Sequence, residues 1–130
     1  MYRLHKNEQV YWEFIRELRN KKGVREGFIQ QEYIDSTTHQ AYMENYGECY
    51  YICLDEGIPV GYVGVIEADI RVATHPDHQK KGVARFMINE LMTMHPTSIA
   101  KVKVANEASL RLFESCGFVP KYYILEKEED

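Results

Sequence analysis

Between residues 48 and 74 three β-type runs follow one another with only a few residues between them, and on both sides the apolar period returns to that of a helix. Glu48 to Leu54 is rich in Tyr, Ile and Cys, Asp55-Glu56-Gly57 carries turn chemistry, Pro59 to Ile66 is the second run and Asp69 to Thr74 the third. Runs so close together leave room for tight turns but not for crossover helices, so the centre must be a hairpin, with the third run entering the same sheet. Pro76 breaks that run. Gln79 to Gly82 has no apolar period, and from Val83 the residues Phe86, Met87, Leu91 and Met94 recur at helical spacing until Pro96.

The flanks supply the covering layers. Val10, Phe14 and Leu18 recur every four residues behind Asn7, a preferred cap, and Gly23 predicts the helix end. Thr37 with Gln40 forms a capping box for a second helix over about 37 to 46, closed by Gly47. Downstream, Ile99 to Val104 alternates as a strand, Asn106 caps a helix through Leu110 and Phe113 that Gly117 terminates, and Phe118 to Leu125 reads as a final strand. The tail from Glu126 to Asp130 is expected to be solvated. The expected architecture is α/β (α+β), a central mixed, mostly antiparallel sheet flanked by about four helices, in one domain over residues 1–130.

Composition then removes several classes of function. The chain has 130 residues, 45% of them apolar, enough for an ordinary core without covalent staples. Sixteen Lys and Arg against twenty Asp and Glu leave −4, the wrong sign for a general nucleic-acid binder. No apolar run approaches the roughly 18 residues of a membrane helix. Met1 to Glu8 does not read as a signal peptide, so a cytoplasmic protein without a membrane partner is expected. Three cysteines, an odd number, argue against a disulfide framework; Cys49 and Cys53 lack further ligands for a zinc site and read as core thiols, and no metal is expected. The oligomeric state stays open, with a homodimer among the expectations.

The segment with chemical content is Gln79-Lys80-Lys81-Gly82-Val83-Ala84, between strand and helix. Gly82 permits either sign of φ and a close backbone approach, Ala84 leaves the first helical turn unobstructed, and free amides with the helix dipole attract an anion. Lys80 and Lys81 add positive charge. The plainer reading of the same residues is an exposed turn. In context, Ile70-Arg71-Val72-Ala73-Thr74-His75-Pro76 leading into this loop resembles the acetyl-CoA loop of the GCN5-related N-acetyltransferases (GNAT), with its pattern of Arg or Gln, two residues, Gly, one residue, Gly or Ala. About 25 residues on, Asn106-Glu107-Ala108-Ser109-Leu110 through Phe113 to Cys116-Gly117-Phe118 is similar to that family's second signature.

The resemblance implies that acetyl-CoA is the co-substrate and that main-chain amides of Gln79, Lys80, Lys81, Gly82, Val83 and Ala84 hold its pyrophosphate. It further implies that the pantetheine arm pairs along Val72, Ala73 and Thr74 like an extra strand, so that the thioester reaches a splay between two strands. Asn106 matches a position that contacts this arm in relatives, although a plain N-cap explains it equally well. Phe113 stands where many relatives have a tyrosine that protonates the leaving thiolate. A phenyl ring cannot do so, which leaves Tyr122 or Tyr123, nearest in sequence, or water and backbone amides.

Direct attack of an amine on the thioester, with no covalent enzyme intermediate, calls for a base. Glu67, at the entry to the third β-run, is the first candidate and Asp69 the second; the plainer alternative pairs Asp69 with Arg71 and leaves Glu67 solvated at a turn. The N-terminal third is expected to select the acceptor, a small-molecule amine. Leu18-Arg19-Asn20, Val24-Arg25 and His39 followed by Tyr42 resemble acetyltransferases of nucleotide-linked amino sugars, in which Arg19, Arg25 and His39 would meet the acceptor. The alternatives are a protein N-terminus, an amino acid or a polyamine, or a non-catalytic acyl-CoA-binding module.

Overall fold

The computed structural model describes residues 1–128. Its sheet holds four strands in the order β1 (Tyr2–Lys6), β2 (Tyr50–Asp55), β3 (Ile58–Ile66) and β4 (Asp69–Thr74), each antiparallel to its neighbour. Both tight turns obey the hairpin rule that a two-residue loop needs positive φ at its two positions: Glu56 and Gly57 lie at φ 50° and 83°, Glu67 and Ala68 at 51° and 68°. The sheet itself is wholly antiparallel, and the one parallel pairing is an isolated bridge between Asp69 and Ile99, because residues 100–104 do not continue as a strand.

Helices cover both faces. On one, α1 (Trp12–Asn20), the single turn α2 (Lys22–Arg25) and α3 (Ser36–Tyr46) bury Ile15, Leu18, Val24 and Met43 against Tyr50, Ile52, Tyr62 and Ala73. On the other, α4 (Val83–Met94) and α5 (Glu107–Ser115) bury Val83, Met87, Ile88, Leu91 and Phe113 against Cys53, Val60, Val63 and Ile70. Residues 53 and 52, or 63 and 62, enter opposite cores, as strand alternation requires.

Several expectations are corrected. The N-terminus is an edge strand, β1, whose Leu4 and Tyr2 pack on the α4 side. Asn7 does not cap a helix; it is buried and its Nδ2 donates to the Gly47 carbonyl (3.1 Å), tying β1 to the end of α3. The first helix begins at Trp12 and breaks at Lys21, where ψ is 136°, and Gly23 lies inside α2. Val10 is consequently 77% exposed, and Ile15 takes the core place assigned to it. The cap of α3 is Asp35, whose carboxylate accepts from the Thr38 amide (2.7 Å), two residues earlier than the capping box suggested.

Ile99 to Val104 is not a strand beyond Ile99, and Phe118 to Leu125 is not a strand at all. Alternating side chains make a strand only where a neighbour supplies its ladder, and neither segment has one. Cys49 and Cys53 do not share a face: Cys49 lies in the turn before β2 and packs with the α1–α3 core, Cys53 with the other. Both are free, and only Cys53 is fully buried.

Gly64 shows how tightly the first core is closed. A Cβ there would lie 2.7 Å from the Cys49 carbonyl oxygen and 2.7 Å from the Tyr50 ring. Gly64→Ala is therefore expected to destabilise the protein by about 1–3 kcal/mol, the usual cost of overpacking. Urea unfolding followed by tryptophan fluorescence checks this; unchanged stability would show that the Tyr50 ring can yield without cost.

Candidate functional site

The bridge at the end of the sheet creates the site. The Ile70 amide donates to the Ile99 carbonyl (2.9 Å) and the Ile99 amide to the Ala68 carbonyl (2.7 Å), and there the pairing stops. Beyond Ile70 the chain from Ala100 to Val104 parts from β4, and no other strand takes its place among the described residues. Alternation leaves the backbone groups of Val72 and Thr74 directed to this open edge, whereas Ala73 is opposite Tyr62 in the β3 ladder and its side chain is buried. Of the three β4 residues expected along an extended ligand, Val72 and Thr74 therefore offer main-chain groups and Ala73 does not.

At the far end of that edge the chain turns through Pro76 to His78 into the loop before α4. The turn is fixed from within: the His75 amide donates to the Val60 carbonyl (2.8 Å), the Asp77 amide to His75 Nδ1 (3.2 Å) and Gln79 Nε2 to the Thr74 carbonyl (3.4 Å). Lys80 and Gly82 both adopt left-handed backbone, at φ 62° and 83°, and Gly82 is the N-cap residue of α4. No side chain caps this helix, so its first amides keep free N–H groups. A Cβ built on Gly82 would meet nothing within 4 Å, so the space before the helix is open. Tyr2 holds the loop to β1 by donating its hydroxyl to the Lys81 carbonyl (3.1 Å). Val83 contributes its amide alone, since its side chain is in the core, while Gln79, Lys80 and Lys81 are exposed.

Asn106 caps α5, its Oδ1 accepting from the Ser109 amide (3.1 Å), and also reaches back through Nδ2 to the Gly27 carbonyl (3.4 Å). Phe113 is buried against Phe118, ring centroids 5.2 Å apart, in the core between α4 and α5. Tyr122 and Tyr123 are more than 85% exposed in an irregular segment, and neither lies in the cavity described next.

On the opposite face, a cavity of about 440 Å³ opens between α1, α3 and the sheet and reaches Asp69, Ile70 and Arg71 of β4 and Lys101 across the cleft. Arg19, Phe28, His39, Tyr42, Tyr50 and Tyr62 line its interior. The Tyr42 and Tyr50 hydroxyls are hydrogen-bonded at 2.8 Å, and the Tyr50 and Tyr62 rings meet edge to face at 5.8 Å. Burial pushes both the Tyr50 and the Tyr62 phenol well above the usual tyrosine range, so both are neutral hydroxyls at physiological pH. Asp69 pairs with Arg71 at 3.4 Å.

The two carboxylates of the sequence reading part company here. Glu67 is the first residue of the β3–β4 turn, exposed and outside the cavity; the turn separates it from the face on which Asp69 sits. The same holds for the acceptor set. Arg19 and His39 line the cavity, but Arg25, at the end of α2, does not. Tyr50, Tyr62, Arg71 and Lys101 join the cavity without having been singled out for it. The tyrosines read from the sequence as ordinary β-residues, because only the fold shows which strand face meets α1 and α3.

His39 is buried and engages the Trp12 carbonyl through Nε2 (2.9 Å), which ties α3 to α1. Burial lowers its pKa from 6.5, outweighing the opposing pull of that carbonyl and of Glu13. A group that must stay neutral in the fold but takes a proton when unfolded makes the unfolded chain the greater proton binder. Its stabilising contribution is complete above pH 6.5 and is lost as pH falls through the lowered value. His39→Gln should therefore flatten the decline in unfolding free energy between about pH 6.5 and 5, the range below the usual histidine value. Denaturant titrations at both pH values test it, and equal slopes in the two proteins would remove His39 from the account.

Known proteins bear on this geometry. The model of the acetyltransferase (GNAT) family matches residues 7–118, and the chain belongs to that family. Spermidine N(1)-acetyltransferase of Vibrio cholerae is 30% identical over 82 aligned residues, with 52% of this chain and 47% of that protein covered. The chain thus spans about half the length of the curated relative it matches. The structure of the Vibrio cholerae spermidine N-acetyltransferase in complex with CoA and spermine superposes with a TM-score of 0.86, at 22% identity, over 97% of this chain and 85% of that one. A ribosomal-protein-alanine N-acetyltransferase from Brucella melitensis gives 0.75 at 18% identity, over 88% and 83%. Proteins named for a polyamine and for a protein substrate thus share this fold, so fold alone does not name an acceptor.

Proposed function

We propose that this chain is an acetyl-CoA-dependent N-acetyltransferase acting on the primary amine of a small molecule. The observation that carries the reading is the parting of residues 100–104 from β4 beside an uncapped helix start. One end offers free strand groups for an extended arm, the other free amides and open space over Gly82 for a phosphate. Acetyl-CoA would supply an acetyl thioester, which an amine converts to an amide as the C–S bond breaks and the thiol departs.

The chain's own residues supply positioning and a proton acceptor. The free amides at Val83 and Ala84, with the two lysines, hold the phosphates, and Val72 and Thr74 pair with the arm. Asp69 sits where the two chain segments separate, at the meeting of cleft and cavity, and takes a proton from the incoming ammonium directly or through one water. Arg71 orients that carboxylate. Burial makes the Tyr50 and Tyr62 phenols weak acids, so within this cavity they serve the leaving sulfur as hydrogen-bond donors and the thiolate takes its proton from solvent.

For the acceptor, relatives named for spermidine support a small amine, with polyamines ahead of the nucleotide-linked amino sugar. The sugar reading also needed Arg19, Arg25 and His39 to converge; Arg25 lies outside the cavity and His39 is committed to a backbone carbonyl.

Two outcomes test the scheme. Gly82→Val should abolish coenzyme A binding in calorimetry while leaving the far-ultraviolet circular dichroism nearly unchanged, since it fills the open space and strains a φ of 83°. Undiminished affinity would reduce the loop to a turn. Asp69→Asn should lower kcat by about 10²-fold with acetyl-CoA affinity retained, and Glu67→Gln should lower it far less. The reverse ranking in a thiol-release assay would return the base to Glu67.

A further inference from the structure

The charges lining the acceptor cavity do not balance. Arg19, Arg71 and Lys101 bring three cations, and Asp69 is the only carboxylate among the lining residues. Asp69 is already paired with Arg71. Arg19 has no acidic partner among the described residues: its guanidinium lies 4.3 Å from the centroid of the Phe28 ring, Nη2 donates to the Gln30 carbonyl, and Nη1 is buried with no acceptor. The neighbouring Tyr50 and Tyr62 do not neutralise it, because burial keeps their phenols protonated. A half-buried guanidinium with an unused N–H is costly until an acceptor completes it, and an anionic oxygen completes it most strongly. His39 is no substitute, since its Nε2 is engaged with Trp12 and its ring stays neutral.

We infer that the acceptor is a small amine that also carries an anionic oxygen group, a carboxylate or a phosphate, which Arg19 receives while the amine faces Asp69. Planar guanidinium is suited to both anions, and Phe28 holds it in place by stacking. Lys101 adds a second positive charge across the cleft. The relatives named for spermidine favour a polyamine, but the charge of this cavity argues against one here, because a polyamine would bring further cations to a cavity that already has an excess of them. The inference rests on the acetyl transfer proposed for the same site and narrows its acceptor.

The test uses wild-type protein, acetyl-CoA and acceptors matched in length. β-Alanine is set against propylamine, O-phosphoethanolamine against ethanolamine, and spermidine against all four, with thiol release as the readout. The acid-bearing member of at least one pair should show kcat/KM about 10-fold or more above its neutral partner, as expected for a charge-assisted contact. Which pair shows it separates carboxylate from phosphate. Arg19→Gln should collapse that ratio toward one, with KM for acetyl-CoA unaltered. Because Arg19 also packs on Phe28, the wild-type ratio stands as the measure if the variant does not fold. Neutral amines or spermidine accepted at least as well as the acid-bearing compounds would overturn this inference and leave acetyl transfer standing. No transfer to any amine, with no coenzyme A binding, would remove both.

Discussion

Two hydrogen bonds, Ile70 amide to Ile99 carbonyl and Ile99 amide to Ala68 carbonyl, decide where everything else in the site can be. They seat the chain leaving α4 beside the first turn of β4 and then end, so one strand edge is covered at its start and open along its length. Had the pairing continued to Val104, β4 would present no free backbone groups and no cleft would connect the two faces. The cavity under α1 and α3 and the loop before α4 lie on opposite sides of the sheet, and the open edge of β4 runs between them. Asp69 stands at the junction because it is the residue that makes the bridge.

The electrostatics divide along the same line. The α4 side offers uncapped amides and two exposed lysines, which water solvates. The α1–α3 side holds Arg19 partly out of water, with a buried N–H that finds no acceptor among the described residues. The tyrosines around it give shape and neutral hydroxyls but no counter-charge.

Much of this was legible in the residues. Three closely spaced β-runs fixed the hairpins, and Gly82 before an apolar helical period located the loop that opens α4. The helix start at Asn106 was equally clear, because a cap acts on its own next few amides. Asn7 failed as a cap for the same kind of reason. Its side chain had a better partner 40 residues away, the Gly47 carbonyl, and no local rule sees that distance. The two late alternating segments were misjudged because alternation states only what a strand would bury, not whether a neighbour exists to pair with it.

The sequence by itself determined the order of elements, the loop whose amides face outward and the family signatures, all of which depend on residues within one helical or hairpin turn of each other. Tertiary structure alone decided which carboxylate and which arginines line the cavity, and which of ten tyrosines join them. Glu67 and Asp69 are two residues apart in the chain, yet a two-residue turn sends one to solvent and the other to the cleft. Arg19, Tyr50, Tyr62 and Asp69 come from four different elements, and they meet only because α1 and α3 pack on one particular face of the sheet. Local propensity is set by neighbours along the chain, whereas a site is set by which surfaces exclude water together.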